Sequence, residues 1–220
     1  MEFRTQTLDQ LAEHHGTDKA MAGNRYTRDY ETYMAPHRQD TVCLLELGIF
    51  KGGSIRMWRD YFPNGLIVGA DQRPDYVEAF DEDDRVVAVQ AKFDLDEALE
   101  AFVETLHGLN TKFDFIIDDA DHRARVQKAV FKALWGLLKP GGVYFCEDTT
   151  ANFHKLWRGS EGSRDTFWHF AQGLSDNIRL SNRNLAAHHE DVPWVKDIRF
   201  VHFYDHGGLI AIGKQGEAND

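Results

Sequence analysis

The stretch KFDFIIDDADHRARV, residues 112–126, concentrates acidic and imidazole groups directly after an apolar run. Asp118, Asp119, Asp121 and His122 lie within five positions. One turn residue is enough to end a strand, so this density points to a chemical role. Carboxylates can bind a cation and a neutral imidazole can accept a proton, and together these groups could activate a hydroxyl.

The elements that must position these residues alternate strand and helix, as in a doubly wound parallel sheet. We predict five strands, at residues 41–49, 66–71, 85–90, 113–119 and 143–148. Helices are predicted in SIRMWRDYF, in DLDEALEAFVETLH, in VQKAVFKALWGLL, which is stopped by KPGG, and around RDTFWHFAQGL. The runs DIRFVHFYD and GLIAIGK, separated by His206-Gly207, predict an antiparallel hairpin. This order is expected of an α/β, Rossmann-like class I methyltransferase sheet with helices on both faces.

Two further helices are predicted before the sheet. TQTLDQLAEHH is closed by Gly16, and TRDYETYMA opens with Thr27 as its N-cap and stops at Pro36. A polar connector, GTDKAMAGNRY, lies between them.

Every predicted strand brings an acid to its carboxyl end, where open α/β sheets bind ligands. In strand order these acids are Glu46, Asp71, Asp94, Asp118 with Asp119, and Glu147 with Asp148. Turn chemistry could explain one or two of them, but an acid after all five strands is harder to attribute to chance.

The loop after the first strand, ELGIFKGGS, departs from the fingerprint of NAD-binding proteins. Its matching positions are Gly48, Phe50 and Gly53, so a bulky ring stands where the pyrophosphate requires a bare backbone. S-adenosylmethionine has no phosphate, and Asp71 is placed to accept hydrogen bonds from its ribose hydroxyls. The alternative for Asp71 is a turn acid.

Asp119, Glu147 and Asp148 are predicted at neighbouring strand ends, where three uncompensated carboxylates would repel one another. A divalent cation removes that conflict, and all-oxygen ligation favours Mg²⁺, with Mn²⁺ or Ca²⁺ as substitutes, over zinc. The alternative is that Glu147 and Asp148 cap the next segment. His122 follows Asp119 by three residues, and we expect it to act as the general base.

Composition narrows the class of protein. The 220 residues, 42% hydrophobic, fit one domain. A net charge of −11, from 25 basic and 36 acidic residues, argues against a nucleic-acid partner. The apolar runs are shorter than the ~20 residues of a membrane span and no signal peptide is recognisable, so a cytoplasmic protein without a membrane partner is expected. Cys43 and Cys146 are expected to be buried free thiols.

Two groups of residues are ambiguous. For His188-His189-Glu190, His202 and His206 we favour a structural interpretation over a second metal site. Four aromatic residues could either pack in the core or form a lid over a sugar ring, and the sequence leaves both interpretations open. They are Trp157, Phe167, Trp168 and Trp194.

Three segments together resemble a known family: LLELGIFKGGSIRMWRDYFPNGLIVGAD, FDFIIDDADH and LKPGGVYFCEDT. They are similar to the metal-dependent sugar O-methyltransferases of macrolide biosynthesis, the mycinamicin and macrocin type, and more distantly to a cephalosporin-cluster methyltransferase. HHGTDK resembles a motif that precedes the core in related bacterial enzymes. The resemblance covers about residues 14–148.

The resemblance implies an S-adenosylmethionine- and Mg²⁺-dependent enzyme, with Mn²⁺ as a possible substitute, that methylates a hydroxyl of a sugar or glycosylated natural product. It implies Mg²⁺ ligation by Asp119, Glu147 and Asp148, with His122 as the base. The residues implied to surround S-adenosylmethionine are Glu46, Gly48, Ser54, Asp71, Asp94 and Asp119, with Thr17 and Lys19 closing the site. Related enzymes also suggest a homo-oligomer.

These expectations divide a single domain, 1–220, into four parts. They are a helical N-terminal cap (1–40), a cofactor- and metal-binding core (41–148), a substrate-shaping region (149–196) and the C-terminal hairpin (197–214). Two alternatives stay open, a catechol-type O-methyltransferase and a noncatalytic protein that binds S-adenosylmethionine or a metal.

Overall fold

A computed structural model of the protein describes residues 5–181 and 196–217. Its centre is a seven-stranded sheet of order β3-β2-β1-β4-β5-β7-β6. The parallel strands are β1 (Cys43–Leu47), β2 (Leu66–Asp71), β3 (Val86–Gln90), β4 (Phe113–Asp118) and β5 (Leu138–Cys146). The hairpin strands, β6 (Ile198–Phe203) and β7 (Ile210–Lys214), are antiparallel, and β7 pairs with β5. The predicted fold is confirmed.

Helices cover both faces because the central strands are apolar on both sides, and every residue of β1 is buried. One face packs against α1 (Leu8–His15), α2 (Tyr26–Met34) and α3 (Gly53–Tyr61). The other packs against α5 (Asp96–Gly108), α6 (Ala124–Leu134) and α7 (Phe167–Ser181). A short helix that we did not predict, α4 (Pro74–Glu78), follows β2.

Two predicted boundaries were wrong. Thr27 is not an N-cap, because its hydroxyl donates to Asp9 Oδ1 at 2.8 Å and α2 begins at Tyr26 after a left-handed Arg25 (φ 64°). The KPGG segment is not a helix stop but part of β5. It follows a 3-10 turn, Trp135–Leu137, and joins the sheet because Leu138 pairs with Phe113 and Gly141 N–H donates to Gln215.

The structure also bears on the predictions for Gly16, the two cysteines and the ambiguous histidines. Gly16 closes α1 in the left-handed conformation, and Cys43 and Cys146 are buried free thiols, as expected. Tyr33 hydroxyl contacts His202 Nδ1 at 2.7 Å, which agrees with a structural role for that histidine. The positions His188-His189-Glu190 and Trp194 fall outside the described residues. Within the described ranges, no helix has the length and apolar character needed to cross a membrane.

The ambiguous aromatic rings separate into core and cleft. Phe167 is fully buried in the core, and Trp168 packs on Phe203 with ring centroids 4.7 Å apart. Trp157 instead lies beside His122, with 37% of its surface exposed. Of the three described rings, only Trp157 lines the cleft described next.

Candidate active site

A cleft of about 770 Å³ lies at the carboxyl ends of the parallel strands. Its walls come from the N-terminal segment between α1 and α2 and from the loops after β1, β2, β4 and β5. The structure brings together here eight of the residues singled out from the sequence: Thr17, Lys19, Gly48, Ser54, Asp71, Asp119, His122 and Asp148. Glu46 and Glu147 lie beneath this surface, each at most 1% exposed.

The loop after β1 approaches the loop after β4 through Gly48. This glycine has φ 100°, and a Cβ atom at this position would lie 2.4 Å from the backbone oxygen of Asp119. Gly48 N–H donates to Ala70 O at 2.8 Å, which fixes the loop to β2. The absence of a side chain therefore sets the spacing between the two loops.

Gly48→Ala is expected to lower the free energy of unfolding by about 1–3 kcal/mol, because the methyl group meets rigid backbone at a strained φ. Urea unfolding measures this effect. Gly173→Ala is the matched control, because Gly173 is an exposed α7 residue with open space around it. It should be stabilising by about 0.5–1 kcal/mol. Equal effects of the two substitutions would contradict the packing argument.

Asp71, at the end of β2, organises the loops on both sides of it. Its carboxylate is 8% exposed and accepts from the N–H groups of Phe50 and Arg73, each at 2.9 Å. A carboxylate has about four acceptor sites, so two such bonds leave capacity for hydroxyl donors in the cleft. The turn role of Asp71 is therefore compatible with ribose binding, which stays a prediction.

Asp94 lies outside the main cleft, in a smaller adjoining cavity of about 190 Å³. Gly48 and Asp71 line both cavities, so the two are continuous along the end of β2. Asp94 is 3.7 Å from Arg123, and Arg123 is bound through two nitrogens to Asp121. The predicted contact of Asp94 with the cofactor would have to run through this adjoining cavity.

Lys19 is the internal counter-ion of the buried acids. It is 1% exposed, and its Nζ donates to Asp119 Oδ2 at 2.6 Å and to both oxygens of Glu147 at 2.8 Å. Glu46 Oε1 lies 3.3 Å from the same nitrogen. One ammonium therefore stands between three carboxylates.

Burial and this shared ammonium shift the pKa values of the acids in opposite directions. Burial raises the pKa of Glu46 to about 7 although Lys19 lowers it. Burial likewise raises the pKa of Asp119 and of Glu147, again against Lys19. Burial alone would lower the pKa of Lys19, but Asp119, Glu147 and Glu46 raise it well above its usual value. One positive charge does not compensate three carboxylates, so the cluster is short of cationic charge.

His122 faces Asp148 across the open part of the cleft. Its Nε2 is 3.7 Å from Asp148 Oδ2, and its Nδ1 is buried without a hydrogen-bond partner among the described residues. The ring makes an edge contact with Trp157 at 4.7 Å. Asp148 has φ 53° and accepts from the Tyr26 hydroxyl at 2.6 Å. A left-handed conformation at a non-glycine residue is typical of functional sites.

Within residues 5–181 and 196–217, two groups of side chains have the geometry to hold a metal ion. They are Asp119, His122 and Asp148, and Glu46, Asp119 and Glu147, each with ligand atoms within 4.8 Å. The Lys19 ammonium already lies in the second group, whereas the first is partly exposed in the cleft. The predicted trio of Asp119, Glu147 and Asp148 is thus divided between two groups that share Asp119, and its joint ligation stays a prediction.

The donor set of the first group fits a divalent cation. Asp119 and Asp148 offer carboxylate oxygens, which are the ligands that Mg²⁺ and Mn²⁺ prefer. A cation there would also supply the positive charge that the three carboxylates around Lys19 lack.

Sequence reasoning missed the two tyrosines that support the acids. Tyr30 donates to Glu147, and Tyr26 to Asp148. Both rings lie on the buried face of α2, and their spacing of four residues is also that of ordinary core residues. No local signal separates the two cases.

The crowded stretch at residues 118–122 also contains two acids with structural roles. Asp118 is 1% exposed and accepts from the Tyr144 hydroxyl at 2.9 Å, and burial raises its pKa to about 7. Asp121 accepts from Arg123 and lies three residues before α6. Among the four titratable groups of that stretch, Asp119 and His122 line the main cleft.

This chain matches a protein family model and is similar to several curated proteins. Residues 45–149 match a family model described as a methyltransferase domain. The chain is 38% identical over 164 residues to 8-demethyl-8-(2-methoxy-alpha-L-rhamnosyl)-tetracenomycin-C 3'-O-methyltransferase of Streptomyces olivaceus, covering 71% of this chain and 40% of that protein. It is 28% identical over 170 residues to mycinamicin VI 2''-O-methyltransferase of Micromonospora griseorubida, covering 74% of this chain and 40% of the relative. The chain thus spans about half or less of these relatives.

Solved structures support the fold. MycE methyltransferase from the mycinamycin biosynthetic pathway, in complex with Mg and SAH, superposes with a TM-score of 0.82 at 24% identity, covering 98% of this chain and 55% of that chain. The SAH-bound Podospora anserina methyltransferase PaMTH1 gives a TM-score of 0.54 at 20% identity, covering 96% and 88% of the two chains. At these identities the likeness shows a shared α/β methyltransferase fold.

Proposed function

We propose that the protein transfers the methyl group of S-adenosylmethionine to a sugar hydroxyl in a glycosylated natural product, and the match of residues 45–149 to a methyltransferase-domain family model supports this. The observation that carries this proposal is the cleft in which Gly48, Asp71, Asp119, His122 and Asp148 meet. The sugar acceptor is supported by the curated relatives, whose names specify methylation of rhamnosyl and other sugar hydroxyls.

In this proposal the cofactor occupies the part of the cleft formed by the loops after β1 and β2. Asp71 would accept from the ribose hydroxyls, and Gly48 would leave room for the methionyl part. Ser54, Thr17 and Lys19 line the same cleft, which supports their assignment to cofactor binding. Glu46 would act from below through Ser54, whose hydroxyl lowers the pKa of the Glu46 carboxyl.

The chemistry of transfer is assigned to the opposite wall. Asp119 and Asp148, with Glu147 beneath them, would hold a divalent cation, which when bound orients the acceptor hydroxyl and lowers its pKa. His122 would take the hydroxyl proton at its cleft-facing nitrogen, and Trp157 would exclude water from one side of the imidazole. The enzyme would contribute mainly orientation and charge stabilisation to the methyl transfer.

Divalent metal binding has a readout that does not require turnover. Mg²⁺ at a hundred times its Kd is expected to raise the free energy of unfolding by about 2.7 kcal/mol, and EDTA should reverse this. Asp119→Asn should remove the Mg²⁺-dependent part of the stabilisation. Asp165→Asn is the control, because Asp165 is exposed and paired to Lys128. Equal Mg²⁺ stabilisation of both variants would contradict the assignment of Asp119.

Mass analysis of the products tests the transfer itself. The protein would be incubated with S-adenosylmethionine and Mg²⁺ and with either rhamnosides or catechols. The proposal expects a mass increase of one methylene unit on the sugar. Methylation of catechols alone would indicate a catechol-type enzyme, and cofactor binding without any product would indicate a noncatalytic protein.

The proposal also includes the organisation and setting of the protein. We assign residues 1–220 to one methyltransferase domain with the cap, core, substrate-shaping region and hairpin defined above. Its partner would be a small-molecule glycoside rather than nucleic acid, which the net charge of −11 supports. A homo-oligomer in the cytoplasm completes the proposal.

A further inference from the structure

A second cavity of about 270 Å³ adjoins the cofactor cleft at Trp157. Trp157 lines both cavities, and its ring contacts His122 at 4.7 Å. A molecule whose hydroxyl reaches His122 could therefore extend past the indole into the second cavity. The volume is about nine times that of a water molecule in the liquid, which is ample for a charged substituent.

The wall between His122 and this cavity is held by a buried amide. Asn152 is 2% exposed, and its Nδ2 donates to His122 O at 2.7 Å and to Gln127 Oε1 at 2.9 Å. Its Oδ1 accepts from Phe167 N–H at 2.7 Å. All hydrogen-bonding groups of the amide face protein partners, so the cavity is pre-formed and fixed relative to the base.

The second cavity is basic in a protein of net charge −11. Arg123, Arg125 and Arg158 line it, and Asp165 is the one acid among its lining residues. The charge of Asp165 is compensated by Lys128. A local surplus of guanidinium groups beside an otherwise acidic protein indicates an anion-binding surface.

The three arginines differ in how far their charge is compensated. Arg123 is bound to Asp121 through two nitrogens. Arg125 donates to the backbone oxygen of Asp94 and lies 3.7 Å from an exposed Asp96 carboxylate. Arg158 is exposed, and no ion pair is found for it within residues 5–181 and 196–217. Arg158 and Arg125 are therefore the groups available to an anion.

We propose that the acceptor is anionic, with its sugar ring on Trp157 and a phosphate or carboxylate in the cavity lined by Arg125 and Arg158. This inference rests on the proposed methyl transfer and names the chemical class of its substrate. Guanidinium groups bind both anions through paired N–H donors, so the geometry fits either source. The aromatic face of an indole fits the apolar face of a sugar ring.

The test uses two matched pairs of sugars: rhamnose 1-phosphate with methyl rhamnoside, and methyl glucuronide with methyl glucoside. Calorimetric titration in the presence of Mg²⁺ and S-adenosylhomocysteine gives Kd without turnover. At least one anionic sugar is expected to bind about tenfold more tightly than its neutral partner. A preference for the phosphate or for the carboxylate identifies the source of the anion.

Arginine variants locate the effect. Arg158→Gln combined with Arg125→Gln should raise Kd for the preferred anionic sugar about tenfold and leave its neutral partner unchanged. Lys155→Gln, an exposed cation in the same segment that does not line the cavity, should change Kd less than twofold. Equal binding of charged and neutral sugars, no binding of either, or an equal loss in the lysine variant would overturn the inference.

A separate methylation assay on the same sugars distinguishes this inference from the proposed function. Charge-dependent binding without methylated product would contradict the proposed transfer and leave the anionic cavity standing. If the neutral sugars are methylated as efficiently as their anionic partners, the result would support methyl transfer and overturn the inference that the acceptor is anionic.

Discussion

Replacing His122 with glutamine is expected to lower kcat of methyl transfer by about 10²–10⁴-fold. Glutamine can hydrogen-bond a hydroxyl but cannot accept its proton near neutral pH. The imidazole lines the cleft beside Asp148 and Trp157, and a glutamine side chain fills a similar volume there. Initial rates at saturating S-adenosylmethionine measure the effect.

His107→Gln is the matched control for this substitution. His107 is exposed in the last turn of α5, far from the cleft in the fold, and its replacement should leave kcat within about twofold. Both variants should show cooperative unfolding at similar urea concentrations. A kcat for His122→Gln within threefold of the unaltered protein would remove His122 from the mechanism.

Lys19→Met is expected to lower the free energy of unfolding by about 3–5 kcal/mol, because it leaves the buried Glu46 and Glu147 and the partly buried Asp119 without their shared cation. Methionine preserves most of the side-chain volume, so the loss is electrostatic rather than a packing defect. Urea unfolding measures the effect. Lys112→Met, at an exposed lysine before β4, is the control and should change stability by less than about 0.5 kcal/mol.

The loss of free energy of unfolding caused by Lys19→Met should grow as the pH rises. Without the ammonium, the folded-state pKa values of Glu46, Asp119 and Glu147 rise further above those of the unfolded chain, which lie near ~4. An acid whose folded pKa is raised loses stability as pH increases from the unfolded pKa to the folded one. The variant should therefore approach the unaltered protein at pH 5 and fall furthest behind at pH 8. A pH-independent deficit would argue for lost packing instead.

The sheet and the position of the site were predictable from the sequence because both depend on local patterns. Apolar runs of strand length alternate with amphipathic segments, and each run ends in an acid. Parallel strands bring their carboxyl ends to one edge, so the meeting of Asp71, Asp119 and Asp148 at a cleft follows from the fold class. The hairpin followed from two apolar runs with a short polar turn between them.

The compensation of charge inside the site was not predictable in the same way. Lys19 is separated from Glu147 by 128 positions, and a lysine in a polar connector looks like a surface residue. The supporting tyrosines of α2 share the spacing of core residues. The KPGG sequence is typical of a helix end, and it forms part of a strand only because this segment pairs with β4 and Gln215. Tertiary contacts decided each of these cases.

The burial of Lys19 has a consequence for how this protein can be cut or recombined. The methyltransferase-domain family model begins at residue 45, yet Lys19, Tyr26 and Tyr30 all contact acids at the ends of β4 and β5. A fragment that starts at residue 45 would lack Lys19 and expose uncompensated carboxylates at the edge of the sheet that carries the cleft. The portion of the chain that the domain model matches is therefore smaller than the portion that must be transplanted together to keep these acids compensated.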